Sequence, residues 1–169
     1  MSTLPDWLPP IVKLEDFDGN WDRYINKVFS FFYRDFIESQ PMFLGKWVRC
    51  RRDLIYDGKE AGFWHCTSEG PNELYRIPNI RRCERIGWIK AVIEHCNDPI
   101  VDLWPKKQRG EIRQLLWFNE EFMIVLAERQ RKRDGFMYMQ LITAYCTEQE
   151  HRREKLRQER DKYFRSKNG

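Results

Sequence analysis

The sequence has 169 residues, of which 41% are hydrophobic and 15% aromatic, and its 30 basic and 26 acidic residues give a net charge of +4. This length and hydrophobic content fit one domain with an ample core. The charge is too small to identify a nucleic-acid-binding protein unless the basic residues are clustered. The first residues lack a signal-peptide pattern and no apolar run is long enough to span a bilayer, so we expect neither export nor a membrane partner.

The five cysteines are odd in number and lack the close spacing of a secreted disulfide framework: Cys50, Cys66, Cys83, Cys96 and Cys146. Reduced thiols and a cytoplasmic location are therefore expected. Two cysteines directly follow His65 and His95, and neighbouring side chains cannot easily both bind one zinc ion. No phosphate-binding glycine loop or nucleophile elbow is present. We expect no metal and no cofactor.

In chain order, residues 1–17 are predicted to form an extended N-terminal arm, and residues 18–169 a single domain. Asn20 is a plausible N-cap, and apolar residues follow it at helical spacing until Pro41 prevents continuation. This pattern predicts an amphipathic helix. Residues 43–50 and 61–68 are rich in aromatic and β-branched residues and lie on either side of Asp57 and Gly58, which predicts two strands joined by a turn.

Pro78 opens a second predicted helix, whose apolar stripe runs from Ile80 to Cys96. A loop with Pro99 and Pro105 follows, and then three predicted strands at 112–118, 122–129 and 136–145. Residues 147–167 are densely charged and predict a solvated basic helix. The order is helix, two strands, helix, three strands and a long charged C-terminal helix. This order predicts an α+β fold with helices packed on one side of an antiparallel sheet.

His65 is the most informative titratable residue, because it lies within the predicted aromatic strand and imidazole titrates near neutral pH. A partly buried histidine there can act as a general base. A hydrogen-bonded core histidine is the alternative interpretation.

Thr143 and Tyr145 share one face at the end of the last predicted strand, where two hydroxyl groups can hold a phosphate or position a proton donor. The alternative is simply the end of a strand.

Basic residues form three clusters, which would suit a polyphosphate backbone: Arg49, Arg51 and Arg52; Arg81, Arg82 and Arg85; and Arg129, Arg131, Lys132 and Arg133. Trp88 lies three residues after Arg85 and seven after Arg81, so all three can share a helical face that binds a phosphate and stacks on a base. The alternatives are a solvated surface for each cluster and a place at the edge of the core for Trp88.

Four segments together resemble the phage-associated branch of the barnase, EndoU, colicin and RelE-like ribonucleases. They are FWHCTS at 63–68, IRRCERIGWIKAVIEHC at 80–96, RGEIRQLLWF with FMIVLAER at 109–129, and LITAYCTEQEHRREKL at 141–156. The resemblance covers residues from about 62 to the C-terminus and rests on patterns of strands and helices. In that group, helices precede an antiparallel sheet whose open face holds the active site.

The resemblance implies metal-independent cleavage of RNA by attack of a ribose hydroxyl on the phosphate. By that resemblance His65 is the base or acid, and Arg129 stabilises the transition state. Thr143 and Tyr145 orient the phosphate or donate a proton, and Arg85 assists binding. The sequence departs from the best-known members because no second histidine lies in a strand, which leaves the partner acid or base open.

Two further interpretations follow from this departure. The first is a non-catalytic RNA-binding module of phage or prophage origin, and the second is a protein-interaction module, suggested by the aromatic first helix. RNA is the expected partner. Proteins of this toxin-like kind usually have an antitoxin or immunity protein, which is expected as a second partner.

Overall fold

The structure is a computed structural model that describes residues 3–168, and it confirms the predicted α+β class. The helices are α1 (Trp21–Tyr33), α2 (Ala61–Thr67), α3 (Ile80–Glu84), α4 (Trp88–Glu94) and α5 (Glu150–Asn168), with short helical turns at Leu14–Phe17, Arg34–Glu38 and Glu73–Tyr75. The strands are β1 (Met42–Phe43), β2 (Lys46–Arg49), β3 (Leu54–Tyr56), β4 (Lys59–Glu60), β5 (Ser68–Glu69), β6 (Ile77–Pro78), β7 (Val101–Gln108), β8 (Glu111–Phe118), β9 (Phe122–Gln130) and β10 (Met137–Cys146).

Six of these strands form one sheet in the order β1-β2-β10-β9-β8-β7. Strands β7 to β10 are an antiparallel meander, as predicted for its last three strands. Strand β2 pairs with β10 in parallel, so the sheet is mixed and not wholly antiparallel. The reason is topological: the helices α2 to α4 follow β2 and carry the chain across before the meander begins, and such a crossover permits parallel pairing.

The loop predicted around Pro99 and Pro105 is wrong for most of its length, because residues 101–108 form strand β7. Pro105 lies within β7 opposite Gln114. A proline is tolerated there because β7 is an edge strand of the sheet.

The segment predicted as one strand at 43–50 contains the hairpin of β1 and β2, which turns at Leu44 and Gly45. The predicted turn at Asp57 and Gly58 is confirmed, with both residues at positive φ, but it joins β3 to β4. The strand predicted at 61–68 is wrong, because those residues form α2 and the first residue of β5.

The first predicted helix is confirmed, and the side chain of Asn20 accepts a hydrogen bond from the backbone N–H of Arg23. The second predicted helix is instead two helices, α3 and α4, separated by a turn at 85–87. The N-terminal segment packs on α3 and α4. The ring of Trp7 stacks on that of His95 at 4.3 Å, and the backbone N–H of Val12 donates to the carbonyl of Glu84.

Helices α1 to α4 pack on one face of the sheet and enclose the main core, which includes Phe32, Phe63, Ile89, Leu116 and Ile124. Helix α5 packs on the opposite face, so the prediction that all helices lie on one side is wrong. Its side chains Leu156 and Tyr163 contact a second core, which consists of Trp104, Leu115, Trp117, Met123 and Val125. Dense charge along α5 concealed these two apolar contacts in the sequence.

None of the described helices is both long and apolar enough to cross a bilayer. The five cysteines all lie within the described range and none is disulfide bonded.

Candidate functional site

His65 lies on α2, a short helix that is buried on nearly every side. Phe63, Trp64 and Cys66 belong to the main core. The hydroxyls of Thr67 and Ser68 donate to the carbonyls of the residues four positions earlier and so close the end of the helix. A short helix that is apolar all round shows no helical period, and its β-favouring residues therefore resemble a strand.

Gly62 fixes the place of α2. A Cβ atom at this position would lie 2.7 Å from the Cβ of Cys50, a distance that packing does not allow. The glycine permits α2 to approach the chain after β2, and the Gly62 N–H donates to the carbonyl of Arg51 at 3.1 Å. This close approach brings His65 towards the side chain of Arg51.

The imidazole of His65 is partly exposed, with 25% of the side chain accessible, and its Nε2 lies 3.1 Å from Oε1 of Glu73. Burial lowers the pKa of His65, and the hydrogen bond that the imidazole donates to Glu73 opposes this effect in part. His65 is therefore neutral at pH 7. Because a carboxylate only accepts, the proton lies on Nε2, and Nδ1 keeps the lone pair of a base.

Glu73 accepts hydrogen bonds from two side chains, those of Arg51 and His65. The guanidinium of Arg51 lies 2.5 Å from Oε1 of Glu73 and 2.6 Å from Oδ2 of Asp53. Hydrogen bonds from Arg51 and then from His65 lower the pKa of Glu73, so this carboxylate is ionised at neutral pH. An ionised Glu73 orients the imidazole and stabilises its protonated form.

A cleft of about 210 Å³ opens beside this imidazole, and we name it the His65 cleft. Its lining residues are Arg51, Gly62, His65, Arg129, Gln140, Leu141 and Ile142. Arg129 projects from β9 on the face opposite the main core, where it is ion-paired with Glu111 and donates to Gln140 at 3.1 Å. The predicted base and the predicted transition-state cation therefore meet in one cleft.

Thr143 ties β10 to α2. Its hydroxyl donates to the backbone carbonyl of His65 at 2.8 Å. The register of β9 and β10 shifts between Leu141 and Thr143, which is a β-bulge, and bulges re-aim side chains next to functional sites. Thr143 thus holds the helix that carries His65, rather than facing the imidazole itself.

Thr143 and Tyr145 line a second cleft of about 400 Å³, together with Glu69, Gly70, Arg76, Arg82 and Arg152, and Glu69 is ion-paired with Arg82 at 3.4 Å. We name it the arginine cleft. The guanidinium groups of Arg82 and Arg152 lie 5.8 and 5.5 Å from the centre of the Tyr145 ring. Burial raises the pKa of Tyr145, and the two cations only partly oppose that shift, so the phenol is protonated and can donate. The cleft can bind an anion through its guanidinium groups.

The predicted RNA-binding residues lie in several places. The guanidinium of Arg49 on β2 lies over the rings of Phe136 and Tyr138 at 5.6 and 5.3 Å. Arg131 is ion-paired with Asp134 at the turn between β9 and β10. Lys132 and Arg133 are exposed at the same turn.

The basic residues of α3 do not form the predicted stacking face with Trp88. Trp88 is 3% exposed and its ring packs against Phe118 and Phe122, so it belongs to the main core. Arg85 lies over this ring at 4.9 Å, and Arg81 is exposed near Glu84. The turn between α3 and α4 breaks the helical spacing on which the shared face depended.

Sequence reasoning missed several residues of the two clefts: Arg76, Glu73, Gln140 and Arg152. Glu73 and Arg76 come from an irregular segment with no periodicity, and Arg152 was one of many charges on α5. No sequence motif connects these four residues to His65, and only the folded chain places them at the two clefts.

Among residues 3–168, no group of three or more His, Cys, Asp or Glu side chains is arranged to hold a metal ion. No protein-family model, curated protein or solved structure matches the chain.

Proposed function

We propose that the protein is an endoribonuclease that needs no metal ion and resembles the barnase, EndoU, colicin and RelE-like ribonucleases. One observation carries this proposal. A neutral histidine, oriented by the carboxylate of Glu73, shares a cleft with the guanidinium groups of Arg51 and Arg129. These are the groups that phosphodiester cleavage by an internal ribose hydroxyl requires.

The first part of the reaction assigns His65 as the base. Its Nδ1 removes the proton from the ribose 2′-hydroxyl, and the resulting oxygen attacks the adjacent phosphorus. Glu73 stabilises the imidazolium that forms, because it already accepts from Nε2. Arg129 and Arg51 neutralise the charge that develops on the phosphate oxygens.

The second part of the reaction protonates the 5′-oxygen as its bond to phosphorus breaks, which leaves a 2′,3′-cyclic phosphate. Tyr145 is the donor that the arrangement favours, since its phenol keeps its proton at neutral pH and lies beside Arg82 and Arg152. These two cations stabilise the phenolate that donation produces. Thr143 connects the two clefts because it lines one and bonds the carbonyl of His65 in the other.

The RNA strand on either side of the cleavage point would meet more positive charge. Arg49 and Arg131 lie beyond the His65 cleft towards the turn between β9 and β10, where Lys132 and Arg133 are exposed. Phosphate contacts of this type add affinity without sequence preference, and their strength falls as salt rises.

A non-catalytic RNA-binding module is the second candidate, and one contact favours it. Arg129 is ion-paired with Glu111, so part of its charge is already neutralised before RNA binds. This candidate expects salt-sensitive binding and no cleavage. An antitoxin or immunity protein stays a prediction in either case.

The test uses purified protein and end-labelled RNA in excess chelator. We expect products with 2′,3′-cyclic phosphate ends, and a rate loss of about a hundredfold to ten-thousandfold in His65→Ala, which is the usual contribution of a general base. His151→Ala, an exposed histidine on α5, is the matched control and should cleave like the parent. Activity that chelator abolishes, or that survives in His65→Ala, would refute the proposal.

A further inference from the structure

A third cleft adjoins the His65 cleft and differs from it in composition. It has a volume of about 620 Å³, and its lining is mostly aromatic or aliphatic: Trp21, Tyr56, Trp64, Leu74, Tyr75 and Pro78. We name it the aromatic cleft. Glu73 and Arg76 also line it, and these residues belong to the His65 site and to the arginine cleft respectively. Glu73 therefore links the aromatic cleft to the imidazole of the proposed catalytic site.

The apolar side chains of this cleft are unusually open to solvent. Tyr75 is 77% exposed, Leu74 is 67% exposed and Tyr56 is 66% exposed. Contiguous exposed apolar groups of this size mark binding surfaces in soluble proteins. Their exposure has no structural benefit within the described chain.

These exposed groups are also held in place. The side chain of Asn72 accepts from the N–H of Leu74 at 2.9 Å, which fixes the turn that carries Tyr75. On the other side of that turn, Arg76 donates to the hydroxyl of Ser68 and to the carbonyl of Gly70. A surface that is already ordered loses little entropy when it binds a ligand.

Charge decides which ligand fits. Arg76 donates to a hydroxyl and to carbonyls, and among the described residues no carboxylate lies within 4.0 Å of its guanidinium. Arg82 and Arg152 lie beside it in the arginine cleft. Arg82 is ion-paired with Glu69 at 3.4 Å, so Arg76 is the arginine of the aromatic cleft whose charge no described carboxylate balances directly. Aromatic rings beside an arginine that is not ion-paired are typical of surfaces that stack bases and hold the phosphates of a single strand.

We infer that the aromatic cleft stacks unpaired bases of the RNA strand whose phosphate occupies the His65 cleft, so that the substrate is single-stranded at the point of cleavage. The inference rests on the proposed function for the position of that phosphate. Trp64 and His65 are consecutive on α2, and Glu73 lines this cleft and orients the imidazole. Trp64 and Glu73 thus place this cleft beside the residue that would act as the base.

The test separates base stacking from cleavage by using an RNA that cannot react. The probe is a short single strand with 2′-O-methyl groups, measured by fluorescence anisotropy at fixed salt, beside its duplex and a version with abasic sites. We expect Tyr75→Ala and Tyr56→Ala to weaken single-strand binding by about fivefold to a hundredfold, the usual loss for one stacked base. Tyr75→Phe should restore binding, because its ring is retained.

Tyr33→Ala is the matched control, since Tyr33 is 40% exposed on α1 and does not line the cleft. Duplex and abasic probes should bind the parent as weakly as the single strand binds Tyr75→Ala. Unchanged single-strand binding in both tyrosine variants would overturn the inference and would leave the cleft for a protein partner. Base-dependent binding without any cleavage would refute the proposed function and leave this inference standing.

Discussion

The two faces of the six-stranded sheet are built from the same strands but differ in packing and in charge. On β8, Leu116 and Phe118 point into the continuous main core beneath α1 to α4. Their neighbours Leu115 and Trp117 point to the other face, where α5 covers only part of the surface. Beyond that cover the face becomes charged, with Glu111, Arg113 and Arg129 in one ion-paired row.

Because successive side chains of a strand point to opposite faces, one residue can stabilise the fold while the next contributes to the surface that carries the charged groups. One face carries the main core and supports the strands, and the other presents ionisable groups on that rigid support. Adjacent residues of one strand should therefore respond very differently to substitution.

The largest expected effect is on the packed face. Leu116→Ala should lower the free energy of unfolding by about 2 to 5 kcal/mol, because Leu116 is completely buried and its removal leaves a cavity. Urea denaturation followed by tryptophan fluorescence measures this loss. Ile112→Ala, on the same strand but 47% exposed, is the control and should cost well under half as much. Both residues lie on the main-core face, so equal losses would show that burial beneath the helices does not explain the contribution of Leu116.

The next effect is on the charged face. Arg129→Lys should reduce RNA cleavage by about tenfold to a hundredfold, because lysine keeps the charge but cannot reproduce the planar fork of donors. Single-turnover kinetics measures the change, and circular dichroism checks the fold. Arg113→Lys is the matched control, since Arg113 also binds Glu111 but does not line the His65 cleft. Comparable losses in both variants would assign the effect to the ion-paired row as a whole.

The smallest expected effect is a change in the pH dependence of cleavage, which tests the role of Glu73. His65 acts as a base only when neutral, so cleavage should decline as the pH falls below about 6.5 towards the lowered pKa of His65. Glu73→Gln removes a partner that raises this pKa, and the acidic limb of the pH profile should move to lower pH. A limb that stays in place would show that Glu73 does not act through the imidazole.

The same shift has a consequence for stability, with a sign that can be checked. The pKa of His65 is lower in the folded protein than in the unfolded chain, so the unfolded chain binds the proton first. The contribution of His65 to stability is therefore complete above about pH 6.5 and is lost as the pH falls through its folded pKa.

The sequence predicted those elements whose structure is determined by residues close to them along the chain. Helix α1 has a capping asparagine and a clear apolar period, and the strands of the meander are long runs of β-favouring residues. The turn at Asp57 and Gly58 follows from the positive φ that these two residue types tolerate. For each of these elements, residue type and spacing within the element itself are enough to predict it.

The elements that the sequence concealed depend on tertiary context. Helix α2 is helical because it is buried between β10 and the chain near Arg51, where Gly62 permits close contact. Of the predicted catalytic residues, His65 and Arg129 could be selected by residue type, and the structure brings them into one cleft. Their orienting partner Glu73 could not be selected, because only the folded chain places it beside the imidazole.

The parallel pairing of β2 with β10 also governs the order of assembly. Among the strands of residues 3–168, β10 is the last to be synthesised, yet it lies between β2 and β9 in the sheet. The early half of the chain must therefore wait for it, which raises the contact order and slows folding. Because His65 and Arg129 both precede β10 in the chain, a nascent chain holds no assembled cleft until β10 has been synthesised.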